Sequence, residues 1–364
     1  MSRLIPKLDK FNPIFGQFVK DYDVHFCGLN EIDDVVAFLD TYWKKGHVLV
    51  KSRLLMDWQH RDVKNNRYNF VLARKKDSNE IHALLGFIPT SFFDPSIERV
   101  LLWGAIWKVR DDVAPTGLGA YLFQYLTNSI PAEIWVSFGI SEDAKKNNKM
   151  MGFKIFPTDN YFFVNSAIRN FKVAAGVEKY QNLQCSDQRD FTLTELSASD
   201  YEKISEKSKI FDFARPYKSK LYYLNRYFKH PYYKYRCFSI KQNDAIKSIF
   251  FVRESPANGS NCLRLVEYVG DYANLSNVRG SINKLLESGC FEFIDIITSN
   301  VDNAVLESAG FINKTVDPNV VIPNYFEPFV PKNVPMEYSF ISLNDNYKCV
   351  INKGDSDQDR PSSV

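Results

Sequence analysis

The residue types and spacing with the clearest chemical meaning are Gly117 and Gly119, inside Trp103–Tyr121, WGAIWKVRDDVAPTGLGAY. Glycine lets an anion approach bare main-chain N–H groups, and a helix N-terminus adds roughly half a positive charge. The pair lies between a bulky, β-favouring run (Trp103, Ile106, Trp107, Val109) and a helical stripe (Tyr121, Leu122, Tyr125, Leu126), with Pro115 near the first turn. A strand, a charged turn and a helix joined in this way form a cradle for a pyrophosphate. The amides of Thr116, Gly117, Leu118, Gly119 and Ala120 would line it. A lone G-x-G also serves as ordinary turn glycine, so its surroundings decide.

Other residues could move protons or bind a substrate. Asp57 and His60 fall in a loop-rich stretch, 46–67, beside Trp58, and either could accept a proton. Read plainly, they are a loop-capping carboxylate and an exposed imidazole. His82 sits in a strand as a structural histidine, and Glu142 and Asp143 open a helix, where carboxylates belong. Lys218, Lys220, Arg226, Lys229 and His230 alternate with Tyr222, Tyr223, Tyr227, Tyr232 and Tyr233. That mixture suits phosphate pairing and base stacking, or equally an amphipathic helix with a solvated basic face. The loop Asn324–Phe329 carries Tyr325 and Glu327, placed to bind hydroxyls or an amine.

These residues need elements to hold them. The 364 residues suffice for two domains, and a net charge of +3 argues against a nucleic-acid groove. The six cysteines show no C-x-x-C pair and no zinc spacing, which suggests reduced thiols and no metal. Without a signal-peptide core or a membrane-spanning run, a cytoplasmic protein with no membrane insertion is expected. Residues 1–20 read as a strap with turns at Pro6 and Pro13. Strands are expected at Asp23–Cys27, Tyr68–Arg74, Ile81–Pro89, the Trp103 segment and Glu133–Ile140, with a last strand from Gly152-Phe153 through Phe163. Helices are expected at Glu31–Lys44, after Gly119 and at Asp143–Met151.

The second half repeats this order. Trp135–Phe153 and Phe293–Phe311 are equal in length, each an aromatic strand, polar turn, helix and Gly-Phe, and Tyr68–Ser91 is echoed by Tyr235–Ser255. The second copy offers Val269-Gly270-Asp271-Tyr272 where the first has its cradle, and the carboxylate would repel a phosphate. The expected domains are 1–165, catalytic, and 191–350, degenerate and acceptor-binding. A connector at 166–190 joins them, and 351–364 is a disordered tail.

The first half resembles the GNAT superfamily of acyl-CoA-dependent N-acyltransferases. Val109 lies eight residues before Gly117, an amphipathic helix and strand follow, and Ser141, Ala144, Asn148 and Gly152-Phe153 fall at the spacing of that family's closing helix. The resemblance implies an α/β fold, a mixed sheet flanked by helices, in two tandem GNAT-like domains. It implies acyl-CoA as co-substrate, acetyl or 3-hydroxybutanoyl, held at Trp107, Val109, Thr116–Ala120, Ser141 and Asn148. An amine would attack the thioester directly, with Asp57, His60 and the main chain at Trp107 as catalytic groups. Two departures stand out. Ala114-Pro115 replaces a usual donor, which Arg110 or the Thr116 hydroxyl could offset, and Asn148 stands where the family commonly has a tyrosine acid.

Tandem chains with WKVRDDVAPTGLG, RYFKHPYYKY and PNYFEPF look like the sugar-nucleotide N-acyltransferases of bacterial surface-glycan (lipopolysaccharide O-antigen) pathways. That similarity implies a dTDP-linked amino-deoxyhexose acceptor, held by Trp58, Lys218, Arg226, His230, Tyr325 and Glu327. A homodimer is compatible with it. The alternatives are a peptide-amine or cell-wall aminoacyl transferase of tandem type, and a non-catalytic acyl-CoA-binding module.

Overall fold

The computed structural model describes Leu4, Leu8 and residues 12–98, 100–181 and 185–362; the turn expected at Pro6 lies outside them. In chain order the elements are α1 (Asn12–Asp21), β1 (Tyr22–Gly28), α2 (Ile32–Phe38), α3 (Val48–Lys51), α4 (Arg53–His60), β2 (Arg61–Asp62), β3 (Arg67–Lys75), β4 (Ile81–Pro89), β5 (Val100–Val109), α5 (Leu118–Ser129), β6 (Ala132–Phe138), α6 (Glu142–Met151), β7 (Lys154–Pro157) and β8 (Asp159–Val164). The second half adds β9 (Phe191–Leu196), α7 (Ala198–Glu202), α8 (Lys220–Tyr223), β10 (Arg236–Gln242), β11 (Ala245–Ala257), β12 (Ser260–Gly270), α9 (Arg279–Ser288), β13 (Phe293–Thr298), α10 (Asn303–Ser308), β14 (Ile312–Asn313) and β15 (Glu337–Ser342).

Two mixed sheets result. The first runs β1-β3-β4-β5-β6-β15-β7, with β2 on β3, and the second runs β14-β8-β13-β12-β11-β10-β9. Read backwards, the second order matches the first strand for strand, so the repeat seen in the sequence is a repeat of topology. In both, one parallel pair (β5 with β6, β12 with β13) sits amid antiparallel neighbours. Each sheet also takes one strand from the far half of the chain. β15 fills the place beside β6, and β8 fills the corresponding place beside β13. The strand expected through Phe163 is therefore two strands in two sheets.

The compact units are discontinuous for the same reason. One holds residues 1–156, 337–347 and 356–364; the other holds 157–336 and 348–355. The stretch expected as connector, 166–190, belongs within the second unit. There the buried Glu292 carboxylate accepts the amides of Lys172, Val173 and Ala174 at 2.7–3.1 Å.

In the first unit β4 is buried along its whole length, as its unbroken apolar run requires of a central strand. Its two faces carry separate cores. One packs α1 and α5 over Val71, Leu85, Phe87 and Trp135, and the other packs α2–α4 over Leu72, Leu84 and Ile106. The stretch 46–67 is more ordered than expected. Neutral His47 caps α3 by accepting the Leu49 amide at 3.2 Å, and Ser52 caps α4 by accepting that of Leu55 at 3.1 Å. These helices are short and set by caps, which leaves little periodicity to read.

The C-terminal segment corrects another expectation. Residues 351–357 are buried, and Asp359 is 1% exposed. Its composition suggested disorder, but its polar groups find partners. In the second unit the Gly354 amide donates to the Val266 carbonyl at 2.7 Å and Arg226 donates to the Gly354 carbonyl at 2.8 Å. Each satisfied group removes the penalty that would otherwise keep such a chain in water.

Candidate active site

The focal feature of the first unit is a fork. β5 pairs with β6 from Val100↔Ala132 to Gly104↔Ser137 and then parts from it, while β5 continues beside β4 to Val109. The point of parting is tightly packed, because the Trp135 ring and Ser137 hydroxyl leave no room for a side chain at Gly104. Just beyond it the register between β4 and β5 slips: Phe87 faces Gly104 but Leu85 faces Trp107, so β5 carries one extra residue. Such a bulge turns main-chain groups out of the ladder. The stretch from Ala105 to Val109 thus presents an edge that β6 does not pair.

At the open end β5 leads through residues 110–117 into α5. Gly117 takes a left-handed conformation (φ 95°) as the N-cap, which explains glycine there, and the first helical hydrogen bond runs from the Tyr121 amide to the Gly117 carbonyl. The amides of Gly119 and Ala120 lie in the first turn, where a helix supplies no acceptor. Gly119 has a further, structural reason to be glycine. A Cβ there would stand 3.1 Å from both Trp107 Nε1 and Val109 Cγ2. Thr116 is exposed. Arg110 is committed elsewhere: it grips Asp112 at 2.8 and 3.1 Å, reaches Glu80 at 3.3 Å and stacks on Tyr42. It shapes the loop rather than offering its charge outward.

The remaining expected residues divide into those near the fork and those consumed by the fold. The Trp107 indole stacks on Phe123 at 5.5 Å, so it is core on one side while its main chain follows the bulge. Ser141 caps α6, and Asn148 is buried with its amide donating to Ser339 of β15 at 2.8 Å. The exchanged strand thus takes up the side chain that the resemblance set in place of a tyrosine acid. Asp57 accepts the Tyr68 hydroxyl at 2.5 Å, and Trp58 packs on Phe93. His60 is not exposed. Its Nε2 lies 2.9 Å from Gln59 Nε2, its ring packs on Phe70, and burial pushes its pKa down to about 3. His82 bonds Tyr22 at 3.0 Å, the structural role expected.

The second unit has the same fork with an occupant. β12 pairs with β13 only from Leu263 to Leu265, then runs on to Gly270. The chain's own residues 351–354 lie in the opening. Asn352 bridges to Thr298, the Ser299 amide donates to the Ile351 carbonyl at 3.1 Å, and Gly354 bonds Val266. Gly354 has no space for a Cβ, since the Tyr227 hydroxyl and the Val266 carbonyl fill it. Asp271, at the end of β12, caps the next turn by accepting the Ala273 amide.

The basic–aromatic stretch is part of this filling. Lys218 is 2% exposed and lies 2.6 Å from both Glu267 and Asp355. Burial alone would lower its pKa, but the two carboxylates outweigh it and hold it well above the usual lysine range. Arg226 is equally buried, and His230 Nδ1 accepts the amides of Tyr232 and Tyr233. Glu327 accepts the Tyr233 hydroxyl at 3.0 Å, and Tyr325 lies under Lys353. The sequence showed the right residue types, but alternation of rings and cations does not distinguish a ligand site from a neutralised interior.

No family model matches the sequence, and no curated protein does. Solved structures do. A GCN5-related N-acetyltransferase from Anabaena variabilis is similar with a TM-score of 0.56 at 9% identity, covering 89% of this chain and 73% of its own. A conserved protein of Enterococcus faecalis, described as a probable N-acyltransferase, gives 0.51 at 7% identity, covering 87% and 71%. At these identities the likeness is one of fold. The architecture is that of the GNAT fold over most of the chain.

Two outcomes follow from the buried charges. His47 is shifted like His60, to about 3 by burial and the neighbouring Arg360 and Lys44. Both bind protons less readily folded than unfolded, so their contribution is full above about pH 6.5 and is lost as pH falls toward 3. Melting temperature should drop through that window, and His60→Gln should flatten the slope. Lys218→Met should destabilise the protein by about 3–5 kcal/mol in denaturant titrations, because it strands Glu267 and Asp355 in the interior.

Proposed function

We propose that the chain is an acyl-CoA-dependent N-acyltransferase whose only acyl-CoA site is the fork of the first unit. The observation that carries this reading is the contrast between two equivalent forks, one ending in a glycine-capped helix and the other filled by residues 351–354. The pantetheine arm would lie along the unpaired edge Ala105–Val109, taking the place of the missing strand in the ladder. The pyrophosphate would sit over the first turn of α5, at the amides of Thr116, Gly117, Gly119 and Ala120; the expected Leu118 amide donates instead to the Pro115 carbonyl at 3.2 Å. The acyl carbonyl would then fall near the bulge, where main-chain N–H groups at Ile106 and Trp107 can hold the developing oxyanion.

The residues of this chain position the reactants and stabilise charge; acyl-CoA brings the activated carbonyl. Attack by a neutral amine forms the C–N bond, collapse of the tetrahedral adduct breaks the C–S bond, and the thiolate leaves with the electron pair. Fixing amine and thioester within contact distance supplies much of the rate by removing translational freedom. The acceptor we favour is a nucleotide-linked amino-deoxy sugar, supported by the sequence similarity in WKVRDDVAPTGLG, RYFKHPYYKY and PNYFEPF. Because Lys218 and Arg226 face inward, its diphosphate would have to be held by other cations. An amino-sugar nucleotide and a lysine peptide, each offered with acetyl- and 3-hydroxybutanoyl-CoA, separate this acceptor from the peptide-amine alternative by which one releases free thiol.

The cradle has a cleaner test at Thr116 than at Gly119, where a side chain also meets Trp107. Thr116→Glu adds a negative charge that a helix N-terminus tolerates. Like charges 4 Å apart repel by about 1–4 kcal/mol between water and a protein surface, so acyl-CoA affinity should fall about tenfold or more. Titration calorimetry should find one acyl-CoA per wild-type chain and this weakening in the variant, with melting unchanged. Two equivalent sites, or unchanged affinity, would refute the assignment.

A further inference from the structure

Amide formation needs a group that takes a proton from the attacking nitrogen. The two residues expected to do so lie on α4, which is neither arm of the fork: Asp57 holds the Tyr68 hydroxyl there, and His60 packs against Gln59 and Phe70. The C-terminal segment of the first unit brings a different carboxylate to the fork. The Ser356 hydroxyl lies 3.2 Å from the carbonyl of Gly104, the last residue of β5 that pairs with β6. Two residues on, the Gln358 side chain fills the space beside Gly139, the residue that follows β6. Asp357 is therefore pinned between the two arms of the fork.

Its setting is that of an oriented, buried carboxylate. Asp357 is 4% exposed. Oδ1 lies 3.3 Å from Ser356 Oγ and accepts Gln358 Nε2 at 3.0 Å, and Oδ2 pairs with Arg360. An Arg360 amino nitrogen in turn lies 3.3 Å from His47 Nε2, which sets the segment against the N-cap residue of α3. A chain terminus rich in aspartate would ordinarily stay in water. Here a serine, a glutamine and an arginine fix one carboxylate where the parallel pair opens.

Resting on the acyl-transfer reading above, we infer that Asp357 is the proton acceptor of the reaction. The neutral amine donates its lone pair to the thioester carbon, and the adduct nitrogen gives its surplus proton to the Asp357 carboxylate. The C–S bond then breaks with its electrons on sulfur, and the thiolate recovers that proton from Asp357. The products are the amide and the free thiol of CoA, and Asp357 returns to its starting state. Arg360 positions the carboxylate and does not touch the substrate.

The test uses the whole chain with acetyl-CoA and two nucleophiles: the best amine from the acceptor panel, and hydroxylamine, whose weakly basic nitrogen gives an adduct acidic enough to pass its surplus proton to water. Asp357→Asn keeps the shape and the Gln358 and Ser356 neighbours but cannot hold the proton. Transfer to the amine should fall by about 10²- to 10⁴-fold, while acetyl-CoA affinity and transfer to hydroxylamine stay within a few fold. Asp357→Glu, which retains the charge and the Arg360 pair, should lose less and only with the amine; it also serves if the asparagine variant does not fold. Wild-type rates with the amine in both variants would overturn the assignment. So would equal losses with both nucleophiles, which would mark a structural role. If the wild-type protein releases no CoA with either nucleophile, the acyl-transfer reading itself fails, and this inference fails with it.

Discussion

The structure depends on a parallel pairing that is not completed. β5 and β6 share a ladder up to Gly104 and Ser137 and then separate, although β5 keeps its other edge on β4. A parted parallel pair leaves main-chain donors and acceptors facing an opening, and buried groups of that kind must be satisfied by something. An extended molecule carrying amides of its own is the natural occupant, because it can replace a strand. The bulge at the parting and the glycine-capped helix at the open end serve the same opening, one aiming main-chain groups into it and the other setting a positive dipole end beyond it.

The second fork shows the alternative solution to the same constraint. There the occupant is the chain itself, hydrogen-bonded to β12 on one side and to the end of β13 on the other. A peptide brings unpaired polar groups with it, and these account for the composition around it. Asn352 reaches Glu267 at 2.8 Å, Lys218 neutralises Glu267 and Asp355, and Arg226 takes the Gly354 carbonyl. The tyrosines at 222, 223 and 227 complete the packing, with Tyr227 stacked 4.5 Å from Phe251. Charges so deeply placed persist only in a closed set, which is why truncating one member is more damaging than exchanging a surface pair.

How much of this the sequence carried depended on range. The strands with unbroken apolar runs were legible to within a residue or two; Ile81–Pro89 is β4 as expected, and the glycine-marked junction before α5 was found from Gly117. The repeat was legible because equal spacing survives divergence, and it reappears as two mirrored strand orders. The failures share a cause. That Phe163 lies in the other sheet, that Asn148 faces Ser339, and that residues 351–357 are buried all depend on pairings more than 50 residues apart. Local composition cannot report them: an Asp-rich tail reads as solvated unless its partners are already known. His60 illustrates the point at single-residue scale, since nothing in MDWQH announces that its ring is sealed against Phe70.

The exchanged strand also limits how the first unit can form. β15 supplies the partner for β6 with Tyr338 beside Phe138, 200 residues away. Contacts of that separation are closed late, because the entropy of the intervening loop is lost before the pairing rewards it. Until Glu337–Ser342 arrive, β6 presents an unpaired edge on that side, and Asn148 has no Ser339 to receive its amide. The segment 356–360, which meets Gly104 and His47, closes separations longer still, 252 and 313 residues, and carries the same entropic penalty. The first unit therefore acquires its complete sheet and the carboxylate at its fork in the same closing stage. The cradle at residues 110–120, built from neighbours in sequence, needs neither.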